Sequence, residues 1–225
     1  MAVFVRRWVR IPKVAKEKGS EEILWVELEG TVTKIYVAVV YFVQKESTRY
    51  EANADVRMEL EEDIIEFRSR GMVVLIGDVN SRIGECMPQE GVREGKKRKN
   101  KDKKINENGR EWIQMMRRTG MLMLTGLYGT ADFTCYNVQG NSVVDHICID
   151  RENSYKVRGI ESKREVMGRI NTDHSMVVVS LKIVKSSEEQ KESGDVWVNV
   201  KPKKVREKPL SRIKKGGVGK IQEEM

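Results

Sequence analysis

At 225 residues the chain can hold one large domain, or one domain and a tail. Charged residues make up 34% and hydrophobic residues 39%, against a usual charged share of about 25%, which implies an ordinary core with charged appendages. The net charge of +8 and a pI of about 9.3 favour a polyanionic partner, nucleic acid first, whereas no apolar run is long enough to span a bilayer.

The opening residues, Met1-Ala-Val-Phe-Val-Arg-Arg-Trp8, meet charges too early for a signal-peptide core. Three cysteines, Cys86, Cys135 and Cys148, are odd in number and lack metal-ligand spacing, so reduced thiols in a cytoplasmic or nuclear protein are expected.

Residues 3–11 and 21–29 read as strands, the second alternating Ile23, Trp25 and Leu28 with acids before a turn at Gly30. Residues 33–43, rich in β-branched and aromatic types, predict a central strand ending near Tyr41. The period then changes. Val56, Leu60, Ile64 and Phe67 form one helical stripe, with Asn53 as cap and Gly71 as stop. Val73 to Ile76 run without alternation, as a strand buried on both faces does. That strand ends at Gly77, and Asp78 and Asn80 follow. Such a strand end suits a site, and equally an Asx turn.

From Gly84 to about Asn106 the chain is irregular and carries Arg93, Lys96, Lys97, Arg98, Lys99, Lys101, Lys103 and Lys104, diluted by Glu94 and Asp102. A solvated loop and a phosphate-tracking loop both fit, and they are compatible. Residues 106–120 predict a second helix, with Trp112, Ile113 and Met116 buried, Asn108 as cap and Gly120 as stop. Strands are predicted over 121–125, 133–138, 143–150, 157–166 and 176–184, with turns at Gly126, Gly129 and Gly140-Asn141. Beyond Lys185 the apolar pattern stops, which predicts a domain over 1–184 and a charged, mostly disordered tail over 185–225.

Both histidines follow an aspartate, in Asp145-His146 and Asp173-His174. Alternation puts Asp145 with Ile147 and Ile149 on one face, and His146 with Val144 and Cys148 on the other. A charge in so apolar a strand needs a partner or a function.

Three motifs taken together resemble the endonuclease/exonuclease/phosphatase superfamily, the deoxyribonuclease I-like group. They are Gly77-Asp-Val-Asn80, Phe133-Thr134 with Ser142-Val-Val-Asp145-His146-Ile147, and Thr172-Asp-His174, in the family's order. Asn106-Glu-Asn-Gly-Arg-Glu-Trp112 further resembles the non-LTR retrotransposon endonuclease branch, of craniofacial development protein 2-like type. The resemblance implies an α+β, four-layer α/β/β/α sandwich, and Mg²⁺- or Mn²⁺-dependent hydrolysis of phosphodiesters in DNA.

By that resemblance Asp78 would activate a water, Asn80 would hold Asp78 and a phosphate oxygen, and His174 would face the phosphate with Asp145 fixing its ring. Asp173, with Asp78 and Asn80, would hold the metal, and Tyr41 would match the family's site tyrosine. Thr134, Ser142, Gln44, Lys96, Lys97, Arg98 and Lys99 would contact nucleic acid. The chain departs from the family in Tyr41-Phe-Val-Gln44, which lacks a proline and has Gln44 for Asn, and in Thr172 for Ser. The family's opening Asn strand and metal-binding Glu motif have no counterpart in this sequence. The fold is therefore expected to be incomplete at its N-terminal side, with weak metal binding and impaired hydrolysis. Two other readings of the same motifs are a catalytically dead nucleic-acid-binding module and a phosphatase of the superfamily.

Overall fold

The computed structural model describes Met1, Val3 and residues 13–14, 18–28, 33–86, 98–129, 131–166 and 172–182. The strand expected over 3–11, the turn at Gly30, Lys96, Lys97 and the tail over 185–225 lie essentially outside the described residues.

A mixed six-stranded sheet carries the fold. Its strands are β1 (Lys13–Val14), β2 (Ile23–Leu28), β3 (Lys34–Tyr41), β4 (Gly71–Asp78), β5 (Met121–Met123) and β8 (Asp145–Asp150), in the order β1-β2-β3-β4-β8-β5. β6 (Cys135–Asn137) and β7 (Gly140–Ser142) form a hairpin, and β9 (Val157–Lys163) pairs with β10 (Met176–Leu181).

β3 and β4 run parallel in the centre, joined by helix α1 (Ala52–Arg68). The unbroken apolar run of β4 is buried on both faces. Val73 and Leu75 pack with Val56, Leu60, Ile64 and Phe67 of α1 and with Trp112 and Met116 of α2 (Glu107–Thr119). Met72 and Val74 face the other way, toward Ile147, Ile149 and the half-buried Ile160, Val177 and Val179 of the β9–β10 pair. The described residues thus give a helix layer, the main sheet and a smaller second sheet. No helix among them is long and apolar enough to cross a membrane.

Three expected helix signals act differently. Asn53 lies inside α1, buried, where its side chain accepts from Val43 N at 3.1 Å and donates to Val43 O at 2.9 Å. The N-cap is Glu51, which makes no side-chain capping bond. Gly71 opens β4 and does not stop α1: a Cβ there would lie 2.4 Å from Lys34 O, so the parallel strand requires a bare backbone. The cap of α2 is Asn106, whose side chain accepts from Gly109 N, while Asn108 is buried within the helix. Gly120 ends α2 in the left-handed conformation, as the spacing predicts.

The strand expected over 143–150 starts two residues later, at Asp145. Ser142 ends the hairpin and Asp145 starts β8, because the chain crosses there from the small hairpin into the main sheet. The hairpin turns at Val138-Gln139, two residues before the expected Gly140-Asn141.

Candidate active site

The register of the main sheet gathers the sequence motifs into one row. Tyr41 pairs with Asp78 across the β3–β4 ladder, and Asp78 pairs with Asp145 across the β4–β8 ladder. Gly77 makes this approach possible, since a Cβ there would fall 1.9 Å from Val40 O. The glycine of the Gly-Asp-Val-Asn motif is thus a packing requirement of the strand that delivers Asp78.

Asn80 sits at φ 46, the only non-glycine among the described residues with positive φ, in the left-handed region that Asn tolerates better than most residues. Its backbone N–H donates to Asp78 Oδ1 at 3.0 Å and its side chain donates to Phe42 O at 2.7 Å. Asn106 Nδ2 donates to Asn80 O at 2.8 Å, and Asn106 Oδ1 accepts from Arg82 N at 2.9 Å. One asparagine therefore caps α2 and fixes the loop after Asp78. The Asx-turn reading and the site reading of Asp78 and Asn80 describe the same geometry.

His174 Nδ1 lies 2.9 Å from Asp145 Oδ2. Thr134 supports the aspartate from behind: its hydroxyl accepts the backbone N–H groups of Val144 and Asp145, each at 3.1 Å. Oxygens of Asp78 and Asp145 and a ring nitrogen of His174 all lie within 4.8 Å of one another. Asp173 groups instead with His174 and Cys135.

Electrostatics follow from this crowding. Burial, then the Asp145 charge, push Asp78 up to about 6. The hydrogen bond to Asp145 raises His174 to about 9, so its imidazolium persists at neutral pH. His146 is the opposite case. Burial, then the Arg98 charge, pull it down to about 4, and its Nε2 lies 2.7 Å from Ser81 O, which makes it a neutral structural residue.

The expected nucleic-acid contacts separate. Tyr41 and Gln44 are exposed and line an open hollow of about 410 Å³ with Val43, Glu46 and Ser47. Lys99 is exposed, and its backbone pairs with Gly126 and Ala131. Thr134 and Ser142 are buried, at 1% and 8% exposure, so they stand behind the surface and not on it. Arg98 is buried too. It is 4% exposed, none of its guanidinium nitrogens has a hydrogen-bond partner, and burial pulls it down to about 10. Among the described residues the basic run therefore does enter the core at Arg98, because backbone bonds hold Lys99 and Lys101 against Gly126 and Ala131.

Asp102 is the residue that sequence reasoning missed. It receives both nitrogens of an Arg82 fork at 2.7 Å and the Val143 N–H at 3.1 Å, tying the loop after Asp78 to the approach of β8. A single acid inside a cationic run was the available signal.

No family model and no curated protein matches the chain. Solved structures do match in fold. The 3'-5' exonuclease NExo from Neisseria meningitidis superposes with a TM-score of 0.55 at 15% identity, covering 80% of this chain and 70% of that one. A structure of the 3' phosphatase NExo from Neisseria, bound to a product DNA hairpin, gives 0.55 at 16% over the same shares. The endonuclease domain of TRAS1, a telomere-specific non-LTR retrotransposon, gives 0.54 at 15%, covering 77% and 70%. An AP endonuclease from Archaeoglobus fulgidus gives 0.54 at 15%, covering 77% and 72%. The fold of this chain is α+β and similar to that of these deoxyribonuclease I-like nucleases and phosphatases.

Proposed function

We propose that the chain hydrolyses phosphodiester bonds in DNA as a divalent-metal-dependent endonuclease of the retrotransposon type. The observation that carries this reading is the Asp145–His174 pair held at 2.9 Å beside Asp78 at the end of a central strand. In-line hydrolysis of a phosphodiester needs a base for water and positive charge facing the phosphoryl oxygens. Asp78, pushed up to about 6, suits the base. The imidazolium of His174 supplies a cationic donor, and Asp145 fixes its ring orientation. The Asn80 N–H orients the Asp78 carboxylate, leaving its other oxygen to the water.

The donor set fits a hard cation. Three closely spaced groups include two carboxylates, and burial together with the Asp145 charge makes the ionised Asp78 gain from a nearby cation. Asp78, Asp145 and Asn80, with Asp173 at the rim, would hold Mg²⁺ or Mn²⁺, which supplies positive charge beside the phosphate.

DNA as substrate is supported by the excess of basic residues and by the hairpin complex of one fold neighbour. The test is nicking of supercoiled plasmid, with release of phosphate from a 3'-phosphorylated duplex and from inositol phosphates as parallel arms. Mg²⁺-dependent nicking, abolished by Asp78→Asn and His174→Gln, is the expected result. Salt-dependent binding without hydrolysis on any substrate would replace the enzyme by a binding module.

A further inference from the structure

We infer that Cys135, Asp173 and His174 form a second cation site, selective for thiophilic ions of the Zn²⁺ class, whose occupancy withdraws His174 from hydrolysis. The inhibitory half of this inference rests on the hydrolytic reading of His174, whereas the binding half does not.

The Cys135 sulfur, an Asp173 oxygen and a ring nitrogen of His174 all lie within 4.8 Å of one another. Backbone pairing fixes this proximity. Cys135 and His174 are partners in an antiparallel bridge, Tyr136 N donates to Asp173 O at 2.8 Å, and Ser175 N donates to Thr134 O at 2.8 Å. Residues 134–136 and 173–175 thus form a short ladder that presents the three side chains together. Cys135 Sγ already lies 3.8 Å from Asp173 Oδ2, and Asn137 Nδ2 approaches the sulfur at 3.7 Å.

Zn²⁺ takes sulfur at about 2.3 Å and nitrogen or oxygen at about 2.0–2.2 Å in a tetrahedral array. Its ligand atoms are then about 3.3–3.7 Å apart, so the observed set needs only side-chain adjustment, and Asp173 is exposed and able to make it. Three protein ligands leave a fourth position for water or a phosphate oxygen. The sulfur decides the class of ion. Thiolate is a poor partner for Mg²⁺ and a good one for Zn²⁺, so this set discriminates against the cation that suits Asp78 and Asp145. On binding, the Cys135 thiol gives its proton to solvent and the freed sulfur pair bonds the cation. His174, held through one nitrogen, no longer offers a mobile imidazolium to the phosphate.

The experiment uses Co²⁺ as the probe on the whole chain under anaerobic conditions. The wild-type chain is expected to develop a thiolate-to-cobalt band in the near ultraviolet together with four-coordinate d–d bands. Zn²⁺ should bleach them and excess Mg²⁺ should not. Cys135→Ser should abolish the thiolate band, and His174→Gln should weaken Co²⁺ binding by about tenfold or more. Circular dichroism checks folding. If Cys135→Ser does not fold, loss of the four-coordinate spectrum in His174→Gln decides instead. Absence of the band in the wild-type chain, its survival in Cys135→Ser, or an unchanged d–d spectrum in His174→Gln overturns the site. Where hydrolysis is measurable, Zn²⁺ should inhibit the wild-type chain about tenfold more strongly than Cys135→Ser. Inhibition that is equal in the two overturns the switch. Cobalt binding without any hydrolysis leaves the site standing and removes the hydrolytic reading.

Discussion

Asp78 and Asp145 stand directly opposite each other in the antiparallel β4–β8 ladder. Burial is the main penalty on the Asp78 charge, and the like charge opposite it, which opposes folding at such positions, adds to it. The His174 cation and the Asn80 N–H act in the other direction, both favouring the ionised form of Asp78. The sheet therefore holds an unfavourable pair that protonation, or a bound cation, relieves.

Asp78→Asn is expected to stabilise the fold while abolishing hydrolysis. Burial, then the Asp145 charge, lift Asp78 in the folded chain from an ordinary 3.8 to about 6. The native state thus binds its proton more tightly, and stability falls as pH rises from about 4 to about 6. A shift of this size corresponds to about 3 kcal/mol. Urea midpoints measured across that window should fall with pH in the parent chain and stay flatter in the variant.

His174 sets the alkaline side. Its raised value means that its contribution to stability is complete below the ordinary 6.5 and is lost as pH rises through about 9. On the proposed mechanism kcat/KM rises through about 6 and falls through about 9. Asp145→Asn should draw the upper limb toward the ordinary histidine range. An NMR titration of the His174 ring checks this without turnover, and an unmoved midpoint in Asp145→Asn would show that the pair is not what raises it.

Thr134→Val removes the hydroxyl that receives the buried N–H of Val144 and the half-buried N–H of Asp145. Each orphaned donor costs about 1–3 kcal/mol. Loss of about 2 kcal/mol or more in urea denaturation is expected, with kcat reduced more than KM is raised, because Asp145 loses its anchor.

Arg98→Met tests the buried guanidinium. Replacing buried ionic groups by apolar ones of similar volume is often neutral or stabilising, by about 1–4 kcal/mol. A higher unfolding temperature is expected, with the salt dependence of DNA binding unchanged. A shallower salt slope would return Arg98 to the phosphate-contacting role that its basic neighbours suggest.

Much of this site was legible in the sequence for identifiable reasons. The apolar run from Val73 to Ile76 shows a strand covered on both faces, and the motif at Gly77 shows where it ends. Alternation correctly separated Asp145 from His146. What stayed hidden depends on contacts between distant segments. Asn53 and Asn108 look like caps because asparagine favours helix ends, yet both side chains reach the Val43 carbonyl across the loop after β3. Arg98 and Thr134 looked exposed because polarity is a one-residue property, whereas burial is decided by which strands the chain crosses. Asp102 was read as dilution of a cationic run and is instead the anchor of an arginine fork.

On the proposed mechanism, the single row formed by Tyr41, Asp78 and Asp145 ties activity to strand alignment. A slip of one residue between β4 and either neighbour would turn Asp78 or its partner to the opposite face of the sheet. A misaligned chain could keep its strands, its helices and much of its buried surface while losing the row entirely. Catalytic titration of a refolded sample would therefore count correctly aligned molecules, a quantity that circular dichroism alone does not resolve.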